Sequence, residues 1–190
     1  MILHTRTVAT PIGGLALVAR DEVLVGLEFA DALDRRDGLA RSLSRRLGAF
    51  ETREVADPAG AATRLARYFE GDLAALDEQP CEPHGTPFQL EVWRALRAIP
   101  AGATRTYGEL ATALGKPAAM RAVGAANGAN PIAVFVPCHR VIAADRTLWG
   151  YGGGLERKRW LLVHEGAAFA DRFAQGALAL EGSARAAGRA

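Results

Sequence analysis

A cysteine, a histidine and an arginine follow one another at Cys138, His139 and Arg140. Cationic neighbours favour thiolate, the strongest soft nucleophile among side chains. A plainer reading stands beside this one, because a free cysteine is often only a small buried hydrophobe. Ahead of the trio, Ile132 to Val136 reads as a short buried strand or extended segment ended by Pro137. Behind it, Leu148-Trp149-Gly150-Tyr151-Gly152-Gly153-Gly154 supplies glycines that let backbone approach a ligand. No Lys-Ser/Thr pair follows to make a phosphate loop. Adjacent Cys and His seldom form a hydrolase pair, since such partners usually come from distant positions.

The elements that must position these residues differ between the two halves. Leu3 to Ala9, Leu15 to Ala19 and Val23 to Phe29 are β-rich runs punctuated by turn residues, as in an antiparallel meander. Asp31 to Leu47 has the spacing of an amphipathic helix loosened near Gly38, and Phe50 to Val55 reads as a strand. Asp57-Pro58 opens a helix that Gly71 stops. Residues 72–85 are rich in Pro, Gly and acids. They divide an expected N-terminal α/β domain (1–83) from a C-terminal domain (84–170). Residues 171–190 read as a disordered tail with some helical spacing near Phe173 to Leu180.

In the second half, Thr86-Pro87-Phe88-Gln89 and Thr106-Tyr107-Gly108-Glu109 are capping boxes, each opening a helix. The second helix closes at Gly115, and a third covers Ala118 to about Ala126. Two short helices joined by a glycine turn match a helix-turn-helix, or a plain helical corner. The third helix is nearly bare of side chains, with Arg121 its one long charged group. Such a helix packs closely on a neighbour or enters a nucleic-acid groove, and it suits the minor groove, ~6 Å wide. Leu155 to Glu165 reads as a last helix.

The chain has 190 residues, enough for one large or two small domains. No apolar run approaches the ~20 residues of a membrane helix, and the first residues lack a secretory pattern. The two cysteines, Cys81 and Cys138, are too few for a disulfide framework or a four-cysteine zinc site. A reducing, cytoplasmic setting without a membrane partner is expected. The net charge of +2 hides an asymmetry. Residues 1–83 hold 10 Arg against 14 Asp and Glu, a net of −4; residues 84–170 hold 10 Lys and Arg against 5 acids, a net of +5. A basic half points to an anionic partner or to a solvated basic face.

With these surroundings, Pro137-Cys138-His139-Arg140 resembles the active-site motif of the O6-alkylguanine-DNA alkyltransferases, also called methylated-DNA–protein-cysteine methyltransferases. Gly85-Thr86-Pro87-Phe88-Gln89, Val92-Trp93, Arg121-Ala122-Val123-Gly124, Asn130-Pro131, Gly150-Tyr151 and His164-Glu165-Gly166 stand in the same register. The likeness is strong over residues 85–167 and weaker over 10–29. It implies a ribonuclease H-like α/β domain with an antiparallel sheet, and an all-α, winged-helix-like domain bearing the helix-turn-helix. It implies double-stranded DNA bound through the minor groove, a flipped nucleotide, and irreversible single-turnover transfer of the alkyl group of O6-alkylguanine. O4-alkylthymine is a further candidate substrate. A monomer is expected, with cooperative assembly on DNA left open.

The resemblance also carries roles onto matching positions. Cys138 would accept the alkyl group, His139 would act as base through a water, and Glu165 would orient His139. Tyr107 would protonate the leaving guanine, and Asn130 would tie the recognition helix to the active-site turn. DNA contacts would fall to Arg121, which replaces the flipped base, and to Thr106, Ala119, Ala122, Ala126, Asn127 and Gly128. The substrate pocket would be formed by Val141, Trp149, Tyr151, Gly152 and Lys158. Trp149 stands where the family usually has a small or hydroxyl residue; it would narrow the pocket, stack on DNA or turn outward. Some members bind zinc, but Cys81, His4 and His84 do not make a four-ligand set, so neither metal nor cofactor is expected. The rival reading is a protein that recognises damaged DNA without transfer.

Overall fold

The computed structural model describes residues 1–32 and 38–171. Of the first expected helix, Asp31 falls in a 3₁₀ turn, Ala30–Ala32, and residues 33–37 lie outside the described residues, as do residues 172–190 of the tail. Strands β1 (Ile2–Thr10), β2 (Gly13–Arg20) and β3 (Val23–Phe29) form the antiparallel meander. Helix α1 (Leu39–Leu47) then returns the chain, and β4 (Glu51–Glu54) pairs parallel with β1. The sheet, ordered β3-β2-β1-β4, is therefore mixed rather than wholly antiparallel. A parallel neighbour needs a crossover connection, and α1 lies within it. Alternation decides the faces: Leu15 and Leu17 point into the main core, while Leu3, Val18 and Val25 meet Leu39 and Leu43 of α1.

Helix α2 (Ala61–Phe69) follows a 3₁₀ turn at Pro58–Gly60. Its N-cap residue is Gly60, and Asp57, ahead of the turn, accepts the Ala62 N–H on Oδ1 at 2.7 Å, so the regular helix begins a turn later than the proline suggests. The segment expected as a boundary lies along β3. Leu24 donates to the Pro80 carbonyl and accepts from the Glu82 N–H, both at 2.9 Å.

The second half contains α3 (Pro87–Arg97), β5 (Arg105–Thr106), α4 (Tyr107–Ala113), α5 (Met120–Gly128), β6 (Val141–Ile142) and α6 (Leu155–His164). Both capping boxes form. Thr86 Oγ1 accepts from Gln89 N–H at 3.3 Å, and Thr106 Oγ1 from Glu109 N–H at 3.1 Å, with the reciprocal bonds at 2.9 and 2.6 Å. α4 and α5 are the helix-turn-helix pair, and the Trp93 indole N–H of α3 donates to the Ala126 carbonyl at 2.8 Å. β5 pairs parallel with β6, Thr106 opposite Ile142. That two-residue ladder sets the first residue of α4 beside the chain leaving Cys138.

Ile132–Val136 is a tight turn rather than a strand. Val134 holds a φ of +74°, and Val136 N–H donates back to Ile132 O at 2.9 Å. A β-branched residue rarely adopts this left-handed conformation, so packing imposes it. One core joins both halves, with Leu17 and Leu27 from the sheet, Leu65 and Tyr68 from α2, Trp93 from α3 and Leu161 from α6. Among the described residues, no helix is long and apolar enough to cross a membrane.

Candidate active site

Pro137 leads into a 3₁₀ turn at Cys138–Arg140. Asn130 braces the approach, donating from Nδ2 to the Val136 carbonyl at 2.7 Å and accepting the Ile132 N–H at 3.0 Å. Asn127 Nδ2 lies 3.5 Å from the Cys138 carbonyl oxygen. The thiol opens on a cavity of about 610 Å³ lined by Tyr107, Arg121, Asn127, Gly128, Asn130, Trp149, Tyr151 and Gly152. That is an ample size for a base with an attached group.

The neighbours of the thiol do not turn towards it. His139 and Arg140 are fully buried and both point at Glu165. His139 Nε2 lies 2.9 Å from Glu165 Oε1, and Arg140 grips both carboxylate oxygens at 2.8 and 2.9 Å. Arg140 also donates to the Ile99 carbonyl at 2.6 Å. Burial alone would raise the Glu165 carboxyl; the charges and hydrogen bonds of His139 and Arg140 outweigh it and hold the group well below the usual carboxylate range. An ionised Glu165 fixes the histidine tautomer, with hydrogen on Nε2 and the lone pair on Nδ1. Among the described residues, Nδ1 is buried without a partner. Burial lowers the His139 pKa against the pull of Glu165, so the ring is held neutral.

The expectation that cationic neighbours lower the thiol pKa is corrected here. Burial pushes the Cys138 thiol up, and the Asn130 hydrogen bond and Lys158 charge oppose this only in part. Arg140 spends its charge on Glu165 instead. A thiol kept protonated until a base removes its proton is the consequence.

Tyr107 presents its hydroxyl to the cavity, 3.4 Å from the Trp149 carbonyl. Burial, and then Cys138, raise its pKa, so it is a proton donor rather than a phenolate. Tyr151 packs edge-on against Phe29, ring centroids 6.1 Å apart. Gly153 must be glycine, because a Cβ there would lie 2.3 Å from the Phe29 ring. Trp149 turns outward and is 69% exposed.

Two expected pocket residues stand behind the wall rather than in it. Lys158 is buried and donates to the carbonyls of Val141 at 2.6 Å and Trp149 at 2.7 Å. Val141 itself is fully buried and offers only that carbonyl. Burial brings the Lys158 ammonium down to about 8, with Cys138 opposing. Of the expected DNA contacts, Arg121 and Gly128 are exposed on the cavity rim and Ala122 is exposed beyond it. Ala119 is half-buried, and Thr106 is committed to its cap. Ala126 faces inward, buried against α3, and does not belong to an outer DNA-facing surface. Among the described residues, no group of three or more His, Cys, Asp or Glu is set to hold a metal.

Sequence reasoning missed the wall given by Leu27, Glu28 and Phe29 at the end of β3. It also missed Arg157, which donates to Ile12 O at 2.7 Å and Gly153 O at 3.0 Å, pairs with Asp31 at 2.8 Å, and lies 4.5 Å over Phe29. Apart from the Gly153 bond, these are contacts between the halves, and no local pattern marks them.

Comparison with known proteins shows the family. Residues 87–167 match the family described as 6-O-methylguanine DNA methyltransferase, DNA binding domain. The chain is 50% identical over 160 residues to a Salmonella typhimurium methylated-DNA–protein-cysteine methyltransferase, covering 84% of this chain and 93% of that one. It is 47% identical over 164 residues to the Mycolicibacterium paratuberculosis protein of the same name, covering 86% and 93%. Its fold is similar to that of Mycobacterium tuberculosis OGT crystallised with DNA, with a TM-score of 0.70, 43% identity, and 86% and 92% of the two chains covered.

Proposed function

The chain belongs to the methylated-DNA–protein-cysteine methyltransferase family, and from that premise we propose the part each residue plays in the transfer. It is a direct-reversal DNA repair protein that moves the alkyl group of O6-alkylguanine onto an active-site cysteine.

Cys138 is that cysteine. Its Sγ–C bond forms as the bond from the alkyl carbon to guanine O6 breaks. The thiol proton leaves towards His139 Nδ1, and Glu165 holds the ring and steadies the imidazolium that forms. Guanine would depart as an anion, and Tyr107 supplies the proton that makes it neutral. Thiol and alkylguanine become thioether and guanine; the proton held by His139 returns through solvent to the Tyr107 phenolate, so atoms and charge balance without a further reactant. Thioether formation ends the life of the site, and each molecule acts once.

The protein binds double-stranded DNA. The outer face of α5 is small-sided, with Ala122, Ala125 and Gly128 exposed, and favours the minor groove. Arg121, at the cavity rim, takes the place of the base that enters it. Trp149 projects beside that entrance and stacks on DNA rather than narrowing the pocket. A monomer suffices, since every proposed role falls to one chain.

One observation carries the reading: Cys138 and the Tyr107 hydroxyl open on one cavity, while the His139–Glu165 pair lies sealed behind the thiol. Duplex DNA with a radiolabelled methyl on guanine O6 tests it. Label should move to protein to a limit of one methyl per molecule; continued turnover, or label left in DNA that is tightly bound, refutes it.

A further inference from the structure

The Glu165 carboxylate has a fourth donor from the other half of the chain. Tyr68, on α2 and fully buried, donates its hydroxyl to Oε1 at 2.9 Å, the same oxygen that faces His139. The neighbouring residue repeats the attachment, for His164 Nε2 lies 2.8 Å from the Tyr68 carbonyl oxygen. The His164 and Tyr68 rings also meet edge-on at 4.9 Å. Two successive residues at the end of α6 are thus seated on one tyrosine, one through its backbone and one through its hydroxyl. Core packing alone asks only for the Tyr68 ring. A hydroxyl placed in a sealed core on an already paired carboxylate needs another account, because a buried polar group is costly unless its bond matters.

We infer that Tyr68 is a positioning residue for the transfer: its hydroxyl sets how strongly Glu165 Oε1 pulls on His139, and hence how readily His139 takes the thiol proton. The inference rests on the reading that His139 is the base. An oxygen already accepting from Tyr68 and Arg140 has less electron density for the imidazole N–H, which keeps His139 neutral and ready to accept. The titratable and charged groups facing this cluster are Arg140, Lys158, Cys138, Tyr151 and His164. Among the described residues, Tyr68, Arg140 and His139 bond the carboxylate. The half of the chain that carries the sheet therefore completes the proton relay of the half that carries the thiol.

The test is the pH profile of the single-turnover transfer rate for the full chain and for Tyr68→Phe, which keeps the ring. Without the hydroxyl, Glu165 holds imidazolium better. The acid limb should move to higher pH by about half a unit, and the plateau rate should not fall, because the more basic His139 takes the thiol proton at least as readily. Site-specific 3,5-difluorotyrosine at position 68, a stronger donor, should move the limb to lower pH. Opposite movements in two folded proteins are outside the reach of a merely structural tyrosine. A limb fixed in both variants, whatever their melting temperatures, overturns the proposal. A parent profile with no acid limb overturns the base reading and this inference together.

Discussion

The Lys158 ammonium donates to the Trp149 carbonyl at 2.7 Å, so the pocket loop is pinned by its backbone while the indole faces solvent. A side chain held outward does not limit what the pocket admits. Trp149→Thr should leave the ratio of methyl to benzyl transfer rates unchanged within about twofold. It should weaken duplex binding about tenfold, in line with the ~1–3 kcal/mol of an aromatic–base stack. Paired transfer assays and a binding titration read both; a selective gain for benzyl would put the indole back in the pocket.

Arg121→Ala should slow repair in duplex DNA about tenfold, near 1.4 kcal/mol of barrier, and leave reaction with free O6-benzylguanine unchanged. Equal losses on both substrates would place Arg121 in the chemistry rather than in base replacement.

Glu165→Gln leaves the Arg140 guanidinium buried beside a neutral amide. The loss should be about 3–5 kcal/mol, seen by calorimetry as a melting temperature lower by about 10 °C. The sign with pH is specific. A carboxyl depressed in the folded state contributes stability above its unfolded pKa, about 4.3, and loses it as pH falls. The parent should therefore lose stability between about pH 5 and 3 by more than the variant does.

The transfer rate should hold steady through neutral pH. It should fall on the acid side only below the ordinary imidazole value of about 6.5, because burial lowers His139. A rate that instead climbs steadily up to the thiol range, with no neutral plateau, would mean that free thiolate rather than the relay attacks.

Local signals made much of this legible. Thr86 and Thr106 announce their helices, Gly115 closes the first of the helix-turn-helix pair, and Cys138, Tyr107 and Asn130, each marked by a motif, line one cavity, with Glu165 paired to His139. What stayed hidden depends on partners far along the chain. Arg140 reads as an electropositive neighbour of the thiol until Glu165, 25 residues on, takes its charge. Val134 reads as strand until the turn forces its φ positive. The parallel pairing of β4 with β1 is a contact distant in sequence, the β3 wall of the cavity and the seat of Glu165 on Tyr68 are contacts between halves, and periodicity encodes none of them.

The central claim is that Cys138 itself receives the alkyl group. Peptide mass spectrometry after incubation with duplex DNA containing O6-methylguanine tests it directly, with Cys138→Ala beside the parent. The account predicts that the peptide bearing Cys138 gains one methyl group in the parent, that Cys81 stays unmodified, and that Cys138→Ala binds the DNA but removes no methyl. An unmodified Cys138 peptide from repaired DNA, or repair by Cys138→Ala, would contradict it.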